Sequence, residues 1–199
     1  MTATGVRLSA DDRRRQLVGI GLRLLTERPI HEVTIDEVAA IAGISRGLLF
    51  HYFPTKRDFQ VAVVQAAGRR LLRATEPDPN APAEEQLRAT IDGYLAFVQR
   101  RREPYIALMR GRSSGEWVQP LNDQVREKLV DRTLTGLGLA DTPLARMVVR
   151  GWLALVEETA LIWSNSPVGD RSTVVDYLAN ALHDLLDRGF GTSTGERAV

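Results

Sequence analysis

Between residues 34 and 56 the chain is punctuated so closely that only short helices joined by forced turns can form there. Thr34-Ile-Asp-Glu37 is a capping box, in which the threonine hydroxyl and the glutamate three residues on satisfy the orphan donors of a helix start. Gly43 ends that helix, because glycine adopts the left-handed backbone of a C-cap without a Cβ penalty. Ser45 can cap the next helix, which runs through Phe53 to Pro54. Thr55-Lys-Arg-Asp58 then starts another. Ala39 is small enough to let the second helix approach the first, and Val38, Ile44 and Leu49 supply a little core. With Leu49 and Phe53 packed inward, Arg46, Gly47, Leu48, Phe50 and Tyr52 are distributed around the remaining faces of the second helix. His51 reads as either packed or solvent-facing, and Tyr52 as partly core.

The rest of the chain is helical by pattern. No period-2 run is long enough to argue for a sheet, and Pro and Gly fall between segments of helical periodicity. Ser9 and Asp12 open a first helix, whose apolar positions Leu17, Ile20 and Leu24 continue to the break at Pro29. The helix begun at Thr55 runs through Val61, Val64, Gly68 and Leu72. Glu76-Pro-Asp-Pro-Asn-Ala-Pro82 has the composition of a linker. Beyond it, helices are expected near 83–101, 104–111, 117–136, 143–165 and 171–188, giving an all-α chain. The expected division is an N-terminal domain over 11–71, with a helix-turn-helix near 34–53, and a C-terminal domain over 76–190.

Composition closes off several classes. The 199 residues are 44% hydrophobic and 26% charged, enough for a packed core and too apolar for disorder. Cysteine is absent, which removes disulfide frameworks, thiolate zinc sites and cysteine nucleophiles and suits a reducing cytoplasm. His31, His51 and His183 show no ligand spacing, so no metal and no cofactor is expected. No stretch approaches the roughly 18 uninterrupted apolar residues of a membrane span, and a cytoplasmic protein is expected. The net charge of +1 is unevenly divided: residues 1–75 hold 12 basic against 7 acidic residues, and the remainder 14 against 18. A basic front on a mildly acidic body fits nucleic-acid binding by one end. A short helix held outward by the segment above can lie in the major groove of double-stranded DNA.

The segment Ala42-Gly-Ile-Ser-Arg-Gly-Leu-Leu-Phe-His-Tyr-Phe-Pro-Thr-Lys56 strongly resembles the TetR/AcrR family of bacterial regulators, in a likeness that runs from about Asp11 to Leu72. The resemblance implies nine helices, a homodimer on a palindromic operator, repression as the commoner behaviour, and a C-terminal pocket whose ligand lowers DNA affinity. Position by position it implies that Thr34 contacts phosphate and that Ser45, Arg46, Gly47 and Leu48 face base edges. Phe50, Tyr52 and Lys56 would sit at the sugar-phosphate wall, with His51 beside them. Pro29 stands where a glycine is usual, Phe50 where tyrosine is common, and Leu48 where threonine or alanine is frequent.

Two C-terminal helices carry more apolar face than one chain can cover. From Leu144 to Trp163 nearly the whole circumference is apolar. The final helix shows the stripes Val174, Leu178, Ala181, Leu185 and Val175, Leu182, Leu186. A four-helix homodimer interface is expected. Tyr94, Phe97, Val98, Tyr105, Leu108, Met109, Trp117, Leu121, Trp152 and Val156 are the candidates for lining a site for a hydrophobic or amphipathic small molecule. Glu157-Glu158 interrupts the apolar run, and is expected either to be neutralised by Arg146, Arg150 or an arginine of a second subunit, or, through Glu157, to recognise a cationic or hydroxylated ligand. A regulator signalled by a protein partner is the alternative. A small helical enzyme using Glu157 and Glu158 is remote, because adjacent glutamates diverge by about 100° on a helix and no nucleophile elbow, P-loop or dinucleotide fingerprint is present.

Overall fold

A computed structural model describes residues 8–109 and 116–190. Among the described residues there are nine helices and no strand: α1 (Ala10–Leu24), α2 (Ile35–Ala42), α3 (Arg46–Tyr52), α4 (Lys56–Ala74), α5 (Ala83–Arg100), α6 (Arg102–Met109), α7 (Val118–Gly136), α8 (Pro143–Asn165) and α9 (Arg171–Phe190). The expected all-α class holds. None of the described helices is long and apolar enough to cross a membrane.

Two compact units divide the chain. The first comprises residues up to Gly68 together with Glu103–Leu121; the second comprises Arg69–Arg102 and the chain from Asn122 onward. Glu103–Leu121, which follows the Pro-rich linker in sequence, therefore clusters with the N-terminal helices.

In the first unit the helix starts are set by local side-chain chemistry. Ser9 Oγ accepts from Asp12 N at 3.1 Å, and Thr34 Oγ1 from Glu37 N at 3.2 Å. Ser45 Oγ accepts from Leu48 N at 3.1 Å. At α4 the box is reciprocal: Asp58 N donates to Thr55 Oγ1 at 3.0 Å and Thr55 N to Asp58 Oδ2 at 2.9 Å. The core beneath comprises Leu17, Ile20 and Leu24 of α1, Val38 and Ala39 of α2, Leu49, Phe53, and Phe59 and Val63 of α4, joined by Val118. Gly21 permits α1 and α4 to close on each other, since a Cβ there would lie 2.5 Å from Val63 Cγ2 and 2.8 Å from the Phe59 ring.

The second unit is built by longer-range packing. Helix α5 packs on both α8 and α9, and α8 on α9. Trp152, Tyr94, Ile91, Leu95, Leu178 and Leu182 are almost wholly buried, and Trp152 Nε1 donates to Leu178 O at 2.8 Å. At Gly93 a Cβ would overlap the carbonyl oxygen of Ala74, so only glycine lets α5 pass this close to the end of α4. Arg132 fixes that end, its Nη1 donating to Leu72 O and Thr75 O, both at 2.9 Å.

Candidate nucleic-acid interface

Helix α3 is presented by the two residues that bury it. Leu49 and Phe53 are fully buried in the first unit's core, whereas Ser45, Arg46, Gly47, Leu48 and His51 are exposed. The turn before it is fixed by Gly43, at φ 66°, where a residue with a Cβ is strained. Ile44 N–H closes this C-cap by donating to Ala39 O at 3.0 Å. Arg14, which sequence reasoning did not single out, holds the far end of α3. Its Nη1 donates to Tyr52 O at 2.7 Å, and its guanidinium lies 4.3 Å from the centre of the Phe53 ring.

Each residue expected at the interface has a definite local role. Thr34 and Ser45 cap helices through their oxygens, which leaves each hydroxyl hydrogen available to a neighbouring acceptor. Arg46 is not a free side chain: its Nη1 donates to both carboxylate oxygens of Asp36, at 2.9 and 2.7 Å, and its guanidinium lies 5.4 Å from the Phe50 ring centre. Phe50 and Tyr52 are half-buried and pack against the core. His51 is exposed and meets the Tyr52 ring edge-on at 5.4 Å. Lys56 lies on the surface, but its Nζ donates to His31 O at 3.0 Å. The loop that includes Pro29 is further tied by Gln60, whose Nε2 donates to Ile30 O at 2.9 Å, and by the pairing of Arg28 with Glu37. Neither tie is legible locally, because the partners lie 30 and 9 residues apart.

The expected ligand-lining residues do not form one set. Tyr94, Phe97, Val98, Trp152 and Val156 are buried in the second unit. Tyr105, Leu108, Trp117 and Leu121 belong to the first, where the last three pack against its core and Trp117 lies under Arg57 at 5.3 Å. The side chain of Met109 lies outside the described residues. Glu157 is mostly buried and pairs with Arg126, whose Nε and Nη2 donate to it at 3.1–3.3 Å. The neutralising cation is thus Arg126, not the expected Arg146 or Arg150. Arg146 instead gathers Asp141, Asp131 and Glu127, and Arg150 pairs with Glu127. Burial acts against the Arg126 charge, yet the bond to Glu157 and the nearby Asp123 hold its pKa above the ordinary value. Glu158 is exposed.

Comparison with known proteins agrees with this architecture. Residues 20–63 match the family described as bacterial regulatory proteins, tetR family, and residues 83–185 match a tetracyclin repressor-like C-terminal domain. A tetR-family transcriptional regulator from Streptomyces coelicolor has a similar structure, with a TM-score of 0.77 and 32% identity, covering 92% of this chain and 83% of its own. The HTH-type transcriptional activator FasR of Mycolicibacterium smegmatis is 26% identical over 184 residues, 85% of this chain and 81% of the relative. The transcriptional regulator FadR from Bacillus subtilis, solved in complex with stearoyl-CoA, shares the fold at a TM-score of 0.63 and 16% identity, over 84% of this chain and 96% of its own.

Proposed function

Because the chain belongs to the TetR family, a family of DNA-binding transcriptional regulators and not of enzymes, we propose that it acts in the cytoplasm as a ligand-responsive homodimer that represses from a palindromic operator. The reading module is residues 11–71 and the regulatory module residues 76–190. The observation that carries the DNA-reading part is the outward face of α3. Arg46, Gly47 and Leu48 are exposed at the start of a helix whose opposite stripe is fully buried. A Cβ at Gly47 would meet only Ser45 Oγ, at 4.0 Å. Among the described residues nothing demands glycine there, whereas close approach of a base edge would.

Thr34 and Ser45 offer hydroxyls at helix N-termini, where phosphate is favoured. Arg46 has the planar donor fork for a guanine edge, with Ser45, Gly47 and Leu48 beside it. Phe50, His51, Tyr52 and Lys56 form the backbone-facing wall, and Lys56 exchanges the His31 carbonyl for phosphate.

Dimerisation is supported by apolar residues left in the open. On α8, Leu144, Met147, Gly151, Ala154 and Ile162 recur at helical spacing, with Met147 63% and Ile162 62% exposed; on α9, Tyr177 is 58% exposed and Leu185 is also exposed. Such a face is unusual for a helix that ends in water. The proposed effector is hydrophobic or amphipathic, bound by the second unit with Tyr94, Phe97, Trp152, Val156 and Glu157 as candidate contacts. The stearoyl-CoA held by the fold neighbour belongs to that chemical class. Its binding would favour a reading-head separation unlike the 34–36 Å, about one helical turn, of successive major grooves, with a coupling on the order of 1–3 kcal/mol.

The test is affinity for a selected operator and a scrambled duplex over a salt series. Arg46→Ala should cost roughly 1–3 kcal/mol on the operator and relax preference at one base per half-site. Lys56→Ala should weaken both duplexes alike and lower the salt slope by about two per dimer. The opposite pattern overturns the division between reading and anchoring. Light scattering should give twice the 22.1 kDa chain mass, and a monomer that binds the palindrome tightly sinks the dimer. A promoter fusion that gains output on deletion of the protein supports repression, and one that loses output refutes it. Stearoyl-CoA is the first effector probe, followed by a broader amphipathic panel; no thermal shift and no change in DNA affinity across the panel removes the sensor role.

A further inference from the structure

Asp36 has no part in the reading above, yet it occupies the most consequential position next to it. Arg46 is the first residue of α3, where the helix dipole is positive and the first turn carries no acidic residue, so for helix stability a cation is misplaced there. The compensating charge comes from the neighbouring helix: Asp36, in the first turn of α2, takes Arg46 Nη1 on both its oxygens. The two side chains remain 60% and 64% exposed, so burial does not force the pairing. Phe50 flanks the guanidinium from its own helix, 5.4 Å from the ring centre.

A guanidinium carries five donors in one plane. Asp36 occupies one nitrogen of Arg46 and leaves the Nε–Nη2 edge, two parallel N–H bonds, without a partner among the described residues. That edge is the fork that fits the O6 and N7 acceptors of guanine. A long side chain at a helix start otherwise samples many rotamers, and fixing it is a cost that DNA binding must meet. A carboxylate that holds one nitrogen both removes that cost and fixes the plane of the remaining edge.

We propose that Asp36 is the positioning residue for base reading, holding Arg46 through Nη1 so that its Nε–Nη2 edge is presented to a guanine. This rests on the reading that Arg46 meets a base. It also assigns Asp36 an unfavourable effect on general affinity, because its charge faces the phosphate backbone.

The experiment selects the preferred duplex of the wild-type chain from a randomised library. It then measures single-base variants of that duplex and a scrambled duplex with Asp36→Asn, Asp36→Glu, Arg46→Ala and the Asp36→Asn/Arg46→Ala double variant. Thermal melting of each variant accompanies the binding. Asp36→Asn is expected to lose roughly five- to tenfold of the preference at the base position that Arg46→Ala relaxes, the lower part of the range for a bidentate contact. It should bind the scrambled duplex as tightly as wild type or tighter. In the Arg46→Ala background the asparagine should change nothing at that position, and Asp36→Glu should restore part of the preference. Full preference with tighter binding to every duplex would show that Asp36 only competes with DNA, and would overturn the proposal. Equal loss on operator and scrambled duplex together with lowered melting overturns it in favour of a structural role. If Arg46→Ala leaves preference unchanged at every position, the reading beneath it fails; if Arg46→Ala relaxes preference and Asp36→Asn does not, only the role of Asp36 fails.

Discussion

Gly93 and Gly47 both sit inside helices, where glycine is disfavoured, and they do so for opposite reasons. At Gly93, in the second unit, a Cβ would overlap the Ala74 carbonyl: the protein itself fills the space. At Gly47, in the first unit, a Cβ would meet nothing beyond its own helix backbone except Ser45 Oγ, at 4.0 Å. One glycine answers to packing and the other, on the proposed reading, to DNA. The same contrast runs through both units. Helices of the first start at caps read from residues three apart, while the second is held by contacts across long stretches of chain. Arg171 to Asp92, Arg88 to Asp176, and Trp152 Nε1 to the carbonyl of Leu178 are examples.

Breaking the packed glycine should have the largest effect. Gly93→Ala must move either α5 or the end of α4, because the obstacle is backbone and cannot rotate away. Overpacking of this kind costs about 1–3 kcal/mol and occasionally more, and the fixed carbonyl places this site toward the upper end. Denaturant melts of wild type and Gly93→Ala measure it. A cost below about 0.5 kcal/mol would mean that the crossing relaxes, and that glycine there is not required by packing.

The caps come next and separate the units more sharply. Thr142 caps α8, accepting from Ala145 N at 3.1 Å, much as Ser45 caps α3. Thr142→Ala and Ser45→Ala should each cost about 1 kcal/mol of stability. Only Ser45→Ala should also weaken operator binding, because α3 is a seven-residue helix whose first turn carries the residues proposed to read DNA. Equal loss of DNA affinity from both variants would erase the distinction.

This contrast also explains what the sequence makes legible. Capping boxes at Thr34 and Thr55, the stop at Gly43 and the inward stripe of Leu49 and Phe53 are interactions within a few residues, so spacing alone reveals them. Segment 42–56 is therefore readable as short helices joined by a tight turn, and α8 can be bounded at Pro143 and Asn165 from its cap and its apolar run. Partner choice across the chain is not readable in this way. Glu157 had three arginine candidates by sequence, and the structure pairs it with Arg126 on α7, a choice fixed by how helices cross. Arg14 under Phe53 and Asp36 beside Arg46 have the same character. Glu103–Leu121 joins the N-terminal core through the buried Val118, with Leu108, Trp117 and Leu121 packed beside it, residues that no local period distinguishes.

The exposed glycine should give a smaller effect of opposite sign. Gly47→Ala removes a flexible residue from a helix without a clash, so the chain should become more stable by up to about 1 kcal/mol. On the proposed reading operator affinity should fall in the same variant, because a methyl group would stand where a base edge approaches. Melting and binding measured together decide this. Gains in both would place the DNA elsewhere and return Gly47 to a residue without a role in recognition.

The smallest effect concerns charge at the surface of the second unit, and its sign follows from the direction of one shift. Arg146 donates to Asp141 through Nε at 2.6 Å and Nη2 at 2.8 Å, and it also reaches Asp131 and Glu127. The bonds from Arg146 hold the Asp141 carboxyl below its ordinary value of 3.8. A carboxyl whose pKa is lower folded than unfolded binds fewer protons in the folded state near that pH. Its stabilisation is therefore complete above the ordinary value and is lost as pH falls through the lowered one. Asp141→Asn should melt slightly below wild type near neutral pH, and the two melts should converge in strong acid. Because the pair is exposed, the difference should also shrink in molar salt. Two carboxylates still hold Arg146 in the variant, which keeps the effect small. A gap that persists in acid or in high salt would mean that Asp141 acts through the hydrogen bonding of its side chain rather than through its charge.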